Sequence, residues 1–197
     1  MSDYSIARLT DYDLTDPPKK KFLLDANIWI NVIRSSNKNR KKANLYREFF
    51  FDLVDCKGAN IILPALVVSE VMNRLLREVY LKKFIERIGA KEPLASRFYK
   101  EQFRPSKEYR SGCMLIADEF KTYLESVELK NDEFGKNIKY KHVLSKFDFG
   151  LDFNDSFLFY LAKKNNYIIV TDDGDFFVKG VEVLTLNQEL LEKSSKM

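Results

Sequence analysis

Three short stretches of this chain are apolar without a break: Phe22-Leu23-Leu24, Ile61-Ile62-Leu63 and Tyr167-Ile168-Ile169-Val170. A fourth, Val181-Glu182-Val183-Leu184, is nearly so. A strand with one wet face alternates apolar and polar residues, so a solid run of this length describes a strand buried on both faces. Each run is followed by residues that turn the chain or open a helix: Asp25, Pro64, Asp172-Asp173-Gly174-Asp175 and Asn187. Buried strands alternating with helices predict an α/β fold around a parallel sheet covered on both sides. In such sheets the functional groups lie beyond the carboxyl ends of the strands.

The helices follow from spacing. Leu45, Phe49 and Leu53 recur at helical intervals and predict a helix over 40–55, and Pro64 suits the first position of one running from Ala65 to about Tyr80. Another is expected from Ser156 to Asn165, and a closing helix starts at Asn187. Residues 1–20 are polar and end in Pro17-Pro18-Lys19-Lys20, which reads as an N-terminal arm. Residues 21–197 form one domain. Within it, residues 90–147 read as a helical insertion, with pieces at 94–103 and 107–127 and breakers at Pro93, Pro105 and Gly135.

At 197 residues, 45% apolar and 31% charged, the chain has the size and composition of a single globular domain. No run approaches the roughly 18 apolar residues of a membrane span, and Met1–Leu14 has no apolar signal core, so a cytoplasmic location without membrane partners is expected. Cys56 and Cys113 form no CxxC pair, which argues against a zinc knuckle or disulfide scaffold. One histidine, His142, is a poor basis for imidazole acid-base chemistry, and neither phosphate-binding glycine motif occurs. A phosphatase built on Asp-x-Asp after the first strand is disfavoured, because Ala26-Asn27 follows Asp25.

The acids carry more information. Asp25 and the Asp173/Asp175 pair directly follow buried strands, and Asp155 opens the helix before the last of them. A parallel sheet would gather these at one edge, where Glu70 can join them from the helix after Leu63. Like charges packed together raise one another's pKa, and a hard divalent cation with oxygen ligands relieves that conflict. Mg²⁺ or Mn²⁺ held there can orient a water and offset charge on a phosphodiester oxygen. Each acid alone has a plainer role. Asp25 can cap a helix, Asp155 can be a cap or first-turn acid, Glu70 can pair with Arg74, and Asp-Asp-Gly-Asp can be an ordinary turn. Taking five negative charges out of a net +4 leaves +9, a sign that favours a polyanionic partner.

Taken together, Leu23-Leu24-Asp25-Ala26-Asn27-Ile28, Pro64-Ala65-Leu66-Val67-Val68-Ser69-Glu70-Val71, Asp152-Phe153-Asn154-Asp155 and Ile169-Val170-Thr171-Asp172-Asp173-Gly174-Asp175-Phe176 resemble the PIN-domain family, across residues 21 to 186. The resemblance implies a three-layer α/β/α sandwich with a central, mainly parallel sheet. It also implies a Mg²⁺- or Mn²⁺-dependent endoribonuclease activity. On that pattern Asp25, Glu70, Asp155 and Asp173 are catalytic, and these four with Asp175 bind metal, since Asp173 and Asp175 both fit the last acidic position. Asn27 and Thr171 become positioning residues and Asp152 an outer ligand. Small members similar to VapC toxins bring two further expected partners beside RNA, an antitoxin protein and a second copy of the chain. The arm before Lys21 and the long separation of Glu70 from Asp155 depart from those compact toxins.

In the insertion, Arg97, Lys100, Arg104, Lys107 and Arg110 are interleaved with Phe98, Tyr99, Phe103 and Tyr109, a pattern that suits single-stranded RNA through phosphate contact and stacking. An amphipathic helix pair with solvated charges produces the same pattern. The alternative to a nuclease is a non-catalytic RNA- or protein-binding module on the same fold.

Overall fold

The computed structural model describes residues 4–14, 20–34, 41–91, 94–130, 143 and 150–196. Its centre is β2 (Lys21–Leu24), in which Phe22, Leu23 and Leu24 are wholly buried. It lies between β3 (Asn60–Pro64) and β5 (Ile168–Val170), with Leu23 in register with Ile62 on one side and Ile169 on the other. β6 (Glu182–Thr185) pairs with β5, and with β1 (Ser5–Arg8) and β4 (Val127–Lys130) at the edges the full order is β1-β6-β5-β2-β3-β4, every pairing parallel. Seven α-helices among the described residues flank these six strands, giving the expected α/β/α architecture.

The chain runs outward from β2 to β3 and β4, then returns to β5 on the other side of β2. Strand order therefore reverses between β2 and β5, and a crevice opens beyond their carboxyl ends. α1 (Ala26–Ile33) leaves from β2 and α3 (Ala65–Leu75) from β3, so both start on this edge. α3 buries Val67, Val71 and Leu75 along one face, then continues through a π-helical stretch, Leu76–Leu81, into α4 (Lys82–Ile88). Gly89, in the left-handed conformation at φ 65°, ends that long helix. α2 (Lys41–Asp55) and α5 (Lys107–Tyr123) complete an aromatic core in which Trp29 lies 5.3 Å from Phe50 and 5.7 Å from Phe120. No helix among the described residues is long and apolar enough to cross a membrane.

Two sheet edges depart from the sequence reading. Ser5–Arg8, read as part of an arm, is β1, paired with β6 from Ser5↔Glu182 to Arg8↔Thr185, and Leu9 enters the core. In the insertion, the helix expected to reach Val127 stops at Tyr123, and Val127–Lys130 is β4 beside β3. Both are edge strands without a fully buried residue, which is why no solid apolar run marks them. Residues 131–142 and 144–149 of the insertion, with Gly135 and His142, lie outside the described residues, as does Pro93. α6 spans Phe153–Asn165, starting before the expected Ser156, and α7 is Gln188–Ser195.

Candidate active site

Asp25 sits at the tip of β2, 5% exposed, with its backbone N–H bonded to Val170 O at 3.0 Å across to β5. It is indeed the N-cap of α1, its Oδ1 accepting from Ala26 N at 2.5 Å. The cap does not exhaust the carboxylate. Oδ2 accepts from Thr171 Oγ1 at 2.7 Å and from Asn27 Nδ2 at 2.5 Å. Burial pushes Asp25 up to about 6, the bond from Thr171 opposing and the charges of Glu70 and Asp173 adding to it.

Thr171, fully buried at the tip of β5, also accepts from Asp173 N at 3.0 Å, so the hydroxyl that holds Asp25 shapes the following turn. Asn27 Oδ1 accepts from Asp172 N at 3.2 Å. Thr171 and Asn27 thus tie the tips of β2 and β5 together.

Asp155 lies in the first turn of α6, and the cap of that helix is Asp152, whose Oδ1 accepts from Asp155 N at 2.9 Å. Burial raises Asp155 to about 8, followed by the charges of Asp152, Asp25, Asp173 and Glu70. Four carboxyl groups from β2, α3, α6 and the turn after β5 therefore share one electrostatic neighbourhood. Glu70 is half-buried, its Oε2 accepting from Asn154 Nδ2 at 2.8 Å and its Oε1 standing 4.0 Å from Arg74 Nη1. The pairing to Arg74 expected from spacing is present, and it leaves Glu70 in the acidic group. Asp175 is exposed and donates its backbone N–H to Asp173 Oδ1 at 2.9 Å. Of the two acids left open by the sequence, Asp173 faces the other carboxylates and Asp175 braces it.

Among the described residues, no three His, Cys, Asp or Glu side chains stand close enough together to form a finished metal cage. The acids share charge and solvent without forming a closed shell. Their all-oxygen donor set suits a hard cation.

Sequence reasoning missed the support beneath the turn. Tyr46, buried on α2, donates its hydroxyl toward Asp172 Oδ1 (2.9 Å) and Thr171 O (3.2 Å), and accepts from Leu186 N at 2.7 Å. Burial pushes its pKa upward, so it stays a donor. Lys42 pairs with the same Asp172, and Asn187 Nδ2 donates to Asp172 O at 2.8 Å. The available signal was a tyrosine on a helix face otherwise made of Phe49, Phe50 and Leu53. Asn154 was equally unremarked. The basic insertion residues Arg97, Lys100, Arg104, Lys107 and Arg110 are all exposed, but the aromatic residues between them turn toward one another. Phe103 is fully buried, 5.2 Å from Tyr99 and 5.4 Å from Tyr109, while Phe98, Tyr99 and Tyr109 are half-buried.

Residues 22–182 match the PIN domain family. The chain belongs to the PIN-domain family. Among solved structures, this PIN domain is similar to VapBC2 from Rickettsia felis, determined with a DNA fragment from its promoter, at 12% identity and TM-score 0.52, covering 84% of this chain and 98% of that one. It is also similar to PAE2754 from Pyrobaculum aerophilum, at 14% identity and TM-score 0.46, covering 92% and 94%. The third is VapC20 from Mycobacterium tuberculosis, a toxin that cleaves the sarcin-ricin loop, at 13% identity and TM-score 0.44, covering 80% and 96%. No curated protein sequence matches the chain. At these identities the likeness to VapBC2 speaks for the fold, and the chemistry has to be argued from the carboxylates of this PIN domain.

Proposed function

We propose that the protein is a Mg²⁺- or Mn²⁺-dependent endoribonuclease in which Asp25, Glu70, Asp155 and Asp173 would hold the cation that engages the reacting phosphodiester. The observation that carries this reading is the gathering of four carboxyl groups at the switch point, where burial first and their mutual repulsion second lift Asp155 to about 8 and Asp25 to about 6. Charges arranged at such cost to their own ionisation make sense where a cation joins them. A bound divalent cation would polarise a water and offset charge on the phosphodiester. The chain's own part is positional. Thr171 and Asn27 fix one oxygen of Asp25, Asn154 turns Glu70 toward the group, and Asp155 keeps its proton near neutral pH until positive charge arrives. Asp152 and Asp175 serve as braces of α6 and of the turn. An antitoxin partner and pairing of two copies belong to the same reading and rest on family resemblance.

The test is cleavage of a labelled RNA by purified protein. Turnover is expected with Mg²⁺ or Mn²⁺, and none with EDTA or in Asp25→Asn. Equal cleavage by wild type and Asp25→Asn would sink the assignment. RNA binding without turnover in any cation would leave the binding-module alternative.

A further inference from the structure

Beside Glu70 the surface opens into a cleft of about 440 Å³ whose lining includes Ser69, Glu70, Asn73, Arg74, Arg77 and Asn154. It begins at the acidic group and runs along the long helix, because Glu70, Asn73, Arg74 and Arg77 follow one another on the same side. Beside the Glu70 carboxylate, its polar groups are two guanidinium groups, two amides and a hydroxyl, each able to donate. The two arginines differ in their commitments. Arg74 is held between carboxylates, with Nε 3.3 Å from Glu78 Oε1 and Nη1 4.0 Å from Glu70. Arg77 is exposed and has no carboxylate partner among the described residues. Its guanidinium lies 5.0 Å from the centre of the Tyr99 ring, and that of Arg104 lies 5.7 Å from the same ring.

We propose that this cleft is a backbone-phosphate subsite for single-stranded RNA, in which Arg77, assisted by Asn73 and Arg74, holds a phosphate adjoining the one that is cut. The proposal rests on the nuclease reading for the identity of the scissile group. An uncommitted guanidinium, pre-positioned on an aromatic ring and a short way along one helix from a carboxylate site, matches the fork geometry that phosphate requires. Arginine side chains against the Tyr99 ring leave it poorly placed to stack a base, so the contact reads charge and spacing rather than sequence.

The experiment measures anisotropy of fluorescein-labelled single-stranded RNA oligonucleotides of unrelated sequence over a salt series, in Mg²⁺, with every protein carrying Asp25→Asn to prevent turnover. Arg77→Ala and Arg77→Glu are expected to weaken binding about tenfold or more for each oligonucleotide. The slope of log affinity against log salt should fall by about 0.7 for the lost phosphate contact. Arg77→Lys should keep the wild-type slope, and Lys121→Ala, paired to Asp118 at the far end of α5, serves as the charge-matched control. In the Asp25 background-free enzyme, Arg77→Ala should raise KM more than it lowers kcat. Affinity and slope unchanged in Arg77→Ala, or lost equally in Arg77→Lys or Lys121→Ala, would overturn the subsite. If the wild type cleaves while the Arg77 variants bind as it does, the subsite alone fails. If Arg77→Glu loses binding while the wild type never cleaves, the subsite stands and the nuclease reading fails.

Discussion

Asp155 is the residue whose ionisation the fold opposes most. A carboxyl group with a raised pKa binds its proton more tightly in the folded than in the unfolded chain, so stability is greatest below its ordinary value of 3.8. That stability drains away as pH rises toward about 8, the value Asp155 reaches in the folded protein. Without divalent cation, the melting temperature of the wild type should therefore fall between these limits, with Asp25 adding to the decline up to about 6. Asp155→Asn removes the larger part of the penalty. At pH 8 in EDTA its melting temperature should equal or exceed that of the wild type, by about 2–4 °C for each kcal/mol relieved. A marked loss would show that Asp155 serves α6 as a structural first-turn acid. Asp25 behaves differently, because three donors hold its carboxylate and its loss would leave the Thr171 hydroxyl without its acceptor and Asn27 Nδ2 without the shorter of its two bonds.

At the scale of elements, the long helix α3–α4 carries both Glu70 and the arginines, and its placement depends on α5. Gly112 of α5 faces the π-helical stretch so closely that a Cβ there would lie 2.7 Å from Tyr80 Cγ and 3.0 Å from a Leu76 methyl carbon. Gly112→Ala should cost about 1–3 kcal/mol, read from urea melts, because the Tyr80 ring and the backbone beside it must shift. The same comparison explains which elements were legible in the sequence. β2, β3, β5 and β6 announced themselves because both their faces are covered. β1 and β4 did not, since Ser-Ile-Ala-Arg and Val-Glu-Leu-Lys lie at the sheet edges and fully bury none of their residues. Asp25 and the Asp173/Asp175 pair were legible as residues that end buried strands. Glu70 came through family resemblance, and the choice between Asp173 and Asp175 needed the turn in three dimensions. Tyr46, Asn154 and Arg77 were hidden because their roles depend on which helix lies beside which strand end.

For the molecule as a whole, the N-terminal segment belongs to the folded unit. β1 closes the outer edge of β6, Leu9 is 2% exposed, and Tyr12 packs edge-on against Phe22 and Phe49. Removing residues 1–9 should expose the β6 edge and cost at least the ~1.5–3 kcal/mol of burying one leucine. A chain so shortened should melt several degrees lower and associate through the freed edge in sedimentation experiments. An unchanged melting temperature would return this segment to the status of an arm.

Strand order also sets a timetable for synthesis. β2 emerges early from the ribosome, yet it must wait for β5 as its neighbour, and Asp25 must wait for Thr171, on the far side of most of the chain. Until that last quarter is made, a nascent chain carries Asp25 and Glu70 but neither Asp155 nor Asp173. Pairing over such a sequence distance is slow and comes late in folding. The acidic centre is thus completed only when nearly all of the protein has left the ribosome.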